Sequence, residues 1–477
     1  MSRLHRRKFL RGALGAAGAA ATFHISGTKV GARILGANER FNVAIVGVGG
    51  RGRGHLGSFR QMQNVDVTWL VDADRRRISH ADVPNAKGTT DLREALDDRN
   101  LDAISVASPN HWHSHSVILS AQAGKHCYVE KPASHDIYEG RVALAAAEKY
   151  GVIVQHGTQQ RSSQGRADMI KAIQSGRYGK LAVSHGFCCK PRNGIGHRPI
   201  ESPPDWLDWK QWCGPAVIDH YHGNFVHYNW HWFWVTGNGD LNNQGTHELD
   251  VAYWALEPGL TAPIRAMAIG GRFVWDDQGE TPNTMFAIAE YPNGQKVFFN
   301  VRNVNYDGYP REVKNDFYFE DGGKILGNTY VSPSGERQPV RGERAEITPG
   351  GTFGSFVAAC RANDPSMVNG DMKVAHYSCL LGHVMNNSYR IGKKVPFNAK
   401  AGRFGDDALA YEEFMKVHEI MRDGVGVPED RAEYIVGPWL TFNPETEQFI
   451  GEHADEANQL LRDPRVPEFD IPSPENV

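Results

Sequence analysis

The chain has 477 residues, too many for one ordinary hydrophobic core, so two domains with terminal extensions are expected. Lys and Arg number 52 against 55 Asp and Glu, and no basic run stands out beyond the N-terminus, which argues against nucleic acid as a partner. No apolar stretch is long enough to span a bilayer, and the six cysteines form no C-x-x-C pair or zinc-like spacing, so neither a membrane span nor a disulfide-dependent fold is expected.

In chain order, Arg6-Arg7-Lys8-Phe9-Leu10-Arg11 precedes a weakly apolar Ala/Gly segment, Gly12 to Ala21. This pattern reads as a twin-arginine export signal, with its linker occupying residues 1–37 and the mature protein outside the cytoplasm, in the periplasm or beyond.

Residues 38–160 read as a Rossmann domain, a doubly wound parallel sheet. Expected strands are Asn42–Val46, Val65–Val71, Ala103–Ala107, His126–Val129 and Val152–Gln155. Helices are expected over Asp91–Asp97, Ser114–Ala123 and Tyr138–Tyr150. Gly47, Gly49 and Gly52 fit G-x-G-x-x-G directly after the first strand. That turn lets a pyrophosphate approach the backbone and the helix N-terminus. Asp72 ends the second strand about twenty residues on, where a carboxylate can bond a ribose diol. The cofactor set is therefore Gly47, Gly49, Gly50, Arg51, Gly52, Asp72, Ser108, Asn110, His113, Glu130 and Lys131, and the cofactor is a nicotinamide dinucleotide. Asp72 favours NAD, whereas Arg75, Arg76 and Arg77 suit NADP. Outside the cytoplasm no free pool of this cofactor is expected. It must then be held tightly and regenerated on board, by a redox-neutral cycle or a second substrate.

Residues 161–443 read as an α+β domain with an open, mainly antiparallel sheet. A helix over Ser163–Ser175 leads to strands Leu181–Cys189, Ile264–Trp275, Thr284–Tyr291, Lys296–Asn303 and Asp316–Glu320, with hairpin turns at Asn293-Gly294 and Asp321-Gly322. An aromatic insert, Pro191 to Gly259, separates the first two strands, and helices follow at Lys373–Ile391 and Asp406–Met421. The acidic tail, 444–477, reads as a surface wrap or an oligomer arm.

Two residues carry the candidate chemistry. Lys131, in Glu130-Lys131-Pro132 at a strand end, can polarise a hydroxyl or carbonyl. His247, with Thr246 as a plausible N-cap, sits in a first helical turn that keeps imidazole neutral and able to take a proton. The His111, His113 and His115 spacing lacks the cysteine or carboxylate partners of a metal site, so no metal is assigned. Trp206, Trp209 and Trp212 recur at helical spacing, while Trp230, Trp232 and Trp234 alternate at strand spacing. One set, more plausibly the second, stacks on a sugar ring. Arg161, His231, Trp232, Asn243 and Asp250 are assigned to the substrate.

The glycine turn, Ser108-Pro109-Asn110-His111-Trp112-His113, Glu130-Lys131-Pro132 and Gly239-Asp240-Leu241 through Asp250 resemble the glucose–fructose oxidoreductase / inositol dehydrogenase / rhizopine catabolism (Gfo/Idh/MocA) family, in its order and spacing. The resemblance covers about Phe41 to Met421. It implies a sugar or polyol oxidoreductase, homo-oligomers through the second sheet, Lys131 orienting the hydroxyl and His247 as acid/base. One departure stands out. The family often has an aspartate four residues before the histidine, where this chain has Asn243. His247 then works with Asp240 or Asp250 in support, or the protein is not an ordinary dehydrogenase. Two alternatives follow: redox-neutral glycoside cleavage by oxidation, elimination and re-reduction, or a sensor that binds without catalysis.

Overall fold

The computed structural model describes residues 39–477 except His80 and Asp82, so the twin-arginine segment lies outside the described residues. A six-stranded parallel sheet is built from β1 (Phe41–Val46), β2 (Val65–Val71), β3 (Lys87–Thr89), β4 (Ala103–Val106), β5 (His126–Val129) and β6 (Val154–His156), in the order β3-β2-β1-β4-β5-β6. Strands β4 and β5 are buried at every position, as expected when helices cover both faces. The covering helices include α1 (Gly50–Arg60), α2 (Arg75–Ser79), α3 (Leu92–Leu96), α4 (His113–Gln122) and α5 (Ile137–Tyr150).

Helix α5 shows how local sequence sets a boundary. Asp136 caps its start by accepting from the Glu139 amide (2.7 Å), and Gly151 ends it at φ +63°. The amide of Val152 is then spent on the Ala147 carbonyl, so β6 begins two residues later than the expected Val152.

The second domain follows helix α6 (Gln164–Gln174). Its twelve-stranded sheet contains β7 (Leu181–Cys189), β8 (Arg265–Gly271), β9 (Thr284–Glu290), β10 (Lys296–Arg302), β11 (Glu312–Phe319), β12 (Lys324–Leu326), β13 (Thr329–Val331), β14 (Arg337–Pro339), β15 (Lys393–Pro396), β16 (Glu433–Val436), β17 (Leu440–Asn443) and β18 (Gln448–Ile450). The main path runs β14-β13-β12-β11-β7-β10-β9-β8-β16-β15, and only β7 and β10 pair in parallel. Both expected hairpin turns are present, with Gly294 at φ +87° and Gly322 at φ +89°. Strand β8 stops at Gly271, short of the expected Trp275, because Arg272 turns to Asp277 and the Phe273 amide bonds the Asn283 side chain.

The remaining helices are α7 (Trp209–Cys213), α8 (Gly239–Asn242), α9 (Thr246–Trp254), α10 (Gly351–Ala362), α11 (Met372–Arg390), α12 (Ala408–Glu419) and α13 (Ala454–Asn458). Helix α11 is buried almost all round, because it packs against α5 on one side and against β8 and α9 on the other. Helix α10 returns to the nucleotide domain, where Phe356, Val357 and Cys360 pack with Phe41, Val43 and Ile45 of β1. The tail wraps back as well. Val466 donates to the Pro215 carbonyl (3.1 Å), Arg465 pairs with Glu139, and Phe469 packs edge-on to Trp112.

All six cysteines, Cys127, Cys188, Cys189, Cys213, Cys360 and Cys379, are buried free thiols. Among the described residues no helix is long and apolar enough to cross a membrane.

Candidate active site at the junction of the two domains

The carboxyl ends of β1, β2, β4 and β5 open into a cavity of about 540 Å³. It is lined by Gly47, Gly49, Gly50, Arg51, Asp72, Ser108, Asn110, His113, Glu130, Lys131, Asn243 and His247. Residues expected to bind cofactor and residues expected to do chemistry thus share one space. Gly52 stays outside the lining and has a packing role: a Cβ there would lie 1.7 Å from the Gly47 carbonyl oxygen. Gly47 itself holds φ +82°, a backbone conformation that side chains disfavour.

The cavity suits a dinucleotide. The Oγ of Ser108 and the Oδ1 of Asn110 are shielded from solvent and have no hydrogen-bond partner among the described residues, although both residues line the cavity. Asp72 accepts from the amides of Val48 (2.7 Å) and Asp74 (2.9 Å), which fixes its carboxylate at the end of β2; burial raises its pKa. Of the three arginines considered for a 2′-phosphate, only Arg77 lines the cavity. Arg75 bonds Asp208, and Arg76 bonds Asp74 while stacking 3.5 Å over Trp206.

Glu130 is a structural hub, not a free base. Burial alone would raise its pKa, but the hydrogen bond from His55 and the charges of His55, Arg51 and Lys131 hold it well below the usual carboxylate range. His113 lies between the carbonyls of Pro132 (2.6 Å) and Ser108 (2.8 Å), anchoring the segment that carries Lys131. His111 contacts the Trp212 carbonyl and His115 packs on Phe469, so the three histidines have separate surroundings. Among the described residues no group of three or more His, Cys, Asp or Glu side chains is placed to hold a metal ion.

Lys131 donates to the Asn243 carbonyl (2.6 Å) across the domain junction, and burial lowers its pKa. His247 is held near a pKa of about 3, first by burial and then by the charge of Lys131. Its neutrality therefore has a larger cause than the helix terminus. Thr246 is the first residue of α9 and not its cap; its Oγ1 donates to the Asn242 carbonyl (2.7 Å) because the chain enters directly from α8.

Several expected substrate residues lie outside the cavity lining. Arg161 and Asp250 form a buried pair (2.9 Å). Trp232 is 2% exposed, with Arg272 over its ring and Trp275 at its edge. His231 donates from Nδ1 to the Tyr228 carbonyl (2.7 Å). Trp230 and Trp232 lie on a 3-10 turn, Asn229–Trp232, and Trp234 in the turn after it, so period-two spacing does not put the three on one strand face. Trp212 and Trp230, one from each aromatic set, reach the lining. Asp240 does not support His247 as a free carboxylate; Arg192 binds it at 2.8 and 3.0 Å.

The sequence reading missed the strap made by the insert. Leu207, Gln211, Trp212, His227 and Tyr228 close one side of the cavity. The strap is tied down by a backbone bridge between Leu207 and Asp74, and by Asp208, which accepts from Arg75 (3.1 Å) and Thr90 (2.9 Å). The aromatic density of the insert was its one visible signal.

Residues 41–158 match the oxidoreductase family described by its NAD-binding Rossmann fold, and residues 216–323 match the GFO/IDH/MocA C-terminal domain. A scyllo-inositol 2-dehydrogenase (NAD(+)) of Bacillus subtilis is 33% identical over 101 residues, covering 21% of this chain and 30% of that protein. A myo-inositol 2-dehydrogenase of Thermotoga maritima is 27% identical over 179 residues, covering 37% and 50% respectively. The chain thus spans half or less of the length of these two curated relatives. In fold it is similar to levoglucosan dehydrogenase in complex with NADH and levoglucosan, with a TM-score of 0.55 at 16% identity over 73% of this chain and 96% of that one. With an NAD-binding Rossmann domain and the matching C-terminal domain, the chain belongs to the GFO/IDH/MocA oxidoreductase family.

Proposed function

We propose that this protein is an exported, NAD-dependent oxidoreductase that acts on a hydroxyl of a sugar, polyol or glycoside and retains its cofactor. The observation that carries the reading is the meeting of Lys131 and His247 in the cavity that also holds the glycine turn, Asp72 and the unpartnered Ser108 and Asn110 oxygens. When bound, the nicotinamide supplies a two-electron hydride acceptor. Lys131 then donates a hydrogen bond to the carbinol oxygen and stabilises charge developing there. The neutral imidazole of His247 takes the carbinol proton. The relatives named as inositol and levoglucosan dehydrogenases support a cyclic polyol or sugar as substrate.

The strap from Leu207 to Tyr228 supports retention of the cofactor, because release requires parting its ties to Asp74, Arg75 and Thr90. Arg6-Arg7 supports export, and the broad sheet of the second domain supports a homo-oligomer. A retained cofactor must be regenerated in place. The strap therefore also favours a second reading, redox-neutral glycoside cleavage, in which water is the only net co-reactant.

The test is an absorbance and fluorescence spectrum of protein purified without added cofactor, then titrated with glucosides, free hexoses and inositols. Bound nicotinamide that becomes reduced with one sugar class is expected. A keto-sugar product supports the first reading; a freed aglycone with an ordinary sugar supports the second. A bound nicotinamide silent to every sugar and polyol defeats both.

A further inference from the structure

The outer face of the twelve-stranded sheet changes character along its length. Under α12 it is apolar, where Met267, Ile269, Phe286 and Phe298 pack with Phe414 and Val417. Beyond that patch the same face turns polar and opens into a second cavity, of about 570 Å³, between the sheet and α12. Strand register builds its floor. Asn300 on β10, Phe187 on β7 and Lys314 on β11 stand in one row across the three strands. Alternate residues of a strand share a face, so Arg302 falls beside Asn300, while Glu312, Asp316 and Tyr318 line up with Lys314. Leu409, Glu412, Glu413 and Lys416 form the opposite wall, at the spacing of one helix face. None of these residues lines the dinucleotide cavity.

The charges of this second cavity cancel. Lys314 lies 3.2 Å from Glu312 and 2.9 Å from Asp316, and Arg302 lies 3.3 Å from Glu312. Lys416 lies 2.8 Å from Glu412 and 2.7 Å from Glu413. Lys324 completes a lining of four cations against four carboxylates, so no net ionic ligand is called for. What remains unspent is neutral hydrogen bonding. Arg302 is 1% exposed and Asn300 is 5% exposed; the Nη1 of one and the Oδ1 of the other have no partner among the described residues. Both line the cavity, two residues apart on one strand face. An orphaned donor beside an orphaned acceptor is costly, and a ligand that offers both relieves the cost. A hydroxyl does so, because it donates one hydrogen and accepts two. Carboxylate, ammonium, carboxylate and phenol also alternate along β11, which repeats the same demand for adjacent hydroxyls. Leu326, Leu409 and Ile420 offer apolar contact for the C–H groups between them.

We propose that this cavity is a second small-molecule site, separate from the redox site, that takes a neutral polyhydroxylated ring, a sugar or cyclic polyol. Arg302 donates to the ring's hydroxyls and Asn300 accepts from them, while the paired charges of β11 and α12 bond the rest. Helix α9, which carries His247, packs on the opposite face of the sheet. Occupancy of the second site therefore leaves the reacting centre open.

The test is calorimetry of D-glucose and myo-inositol with the cofactor-loaded full chain, as wild type, Leu409→Trp and Asn300→Leu. Tryptophan at the rim fills the cavity, and leucine at 300 removes the free acceptor without breaking an ion pair. With at least one probe, the wild type is expected to bind one more molecule per chain than Leu409→Trp. Asn300→Leu should weaken the Kd of that molecule by roughly tenfold. The nicotinamide response to sugars should be the same in all three proteins. Equal stoichiometry and affinity in wild type and both variants, for both probes, overturns the proposal and leaves the cavity to water. A changed sedimentation state of Leu409→Trp with no probe molecule lost assigns the face to contact between copies, and also overturns it. If Leu409→Trp melts far below the wild type, Asn300→Leu alone decides. A nicotinamide silent to every sugar, with the extra molecule still bound, defeats the oxidoreductase reading and leaves this site standing.

Discussion

Lys131 donates to the backbone carbonyl of Asn243 at 2.6 Å, joining the end of β5 to the turn before α9. The amine is thereby aimed into the cavity by a neutral carbonyl and not by a carboxylate. The Asn243 side chain is used differently, donating to Asp240 (3.1 Å), which is itself neutralised by Arg192. The position where the family often has aspartate thus serves here as a strut between Lys131 and the Arg192–Asp240 pair.

Lys131→Met and His247→Asn should each lower kcat by roughly 10²- to 10⁴-fold, the range for loss of a positioned proton-transfer or polarising group. Bound cofactor should persist, because neither side chain carries the glycine-turn contacts. Stopped-flow measurement of the reduced-nicotinamide band, with cofactor content quantified separately, checks this. Near-normal turnover in either variant removes that residue from the chemistry.

Asp208→Ala should speed cofactor release by on the order of tenfold. The carboxylate bonds Arg75 and Thr90 and caps the Gln211 amide (3.2 Å). Losing a cap and a charged tie costs about 1.4 kcal/mol or more. Displacement kinetics and cofactor retention through gel filtration report the effect. An unchanged release rate shows that the strap does not limit exit.

Arg161→Leu strands Asp250, which is fully buried and bonded to Arg161 at 2.9 Å. Removing one partner of such a pair costs about 3–5 kcal/mol. The double variant Arg161→Leu with Asp250→Leu should recover much of that loss, since no uncompensated charge remains. Denaturant midpoints of the two variants decide; equal destabilisation argues that packing, not charge, dominates there.

Mild acid should destabilise the fold through its histidines. Burial lowers His111, His115, His156, His185 and His383 to about 3, and His126 and His231 to about 4, from 6.5. A depressed histidine pKa means the unfolded chain binds more protons, so this stability is present above 6.5 and is lost as pH falls toward the folded values. Each contributes up to about 1.4 kcal/mol per pH unit in that window. Glu248 and Asp136, raised by burial, act in the opposite sense but are fewer. Tm is expected to fall continuously from pH 7 to pH 5. A flat Tm across that range contradicts the buried, neutral assignment.

The nucleotide half was legible in the chain because its signals are local. Gly47 needs a positive φ and Gly52 a bare Cα within a few residues of β1, and fully apolar runs mark strands covered on both faces. The places of Lys131 and His247 in the shared cavity were reached the same way, from a strand end and a helix start. Partner choice was not legible. Lys131 and Asn243 lie 112 residues apart, and Arg161 and Asp250 lie 89 apart. Nothing in either local pattern says that Asp250 will be consumed by an arginine or that Trp232 will pack inward while Trp212 and Trp230 face the cavity. Periodicity reports which residues avoid water. Which buried charge meets which, and which aromatic edge stays open to a ligand, is decided only when distant segments such as α10, α11 and the strap from Leu207 to Tyr228 pack against the nucleotide domain and remove the remaining solvent.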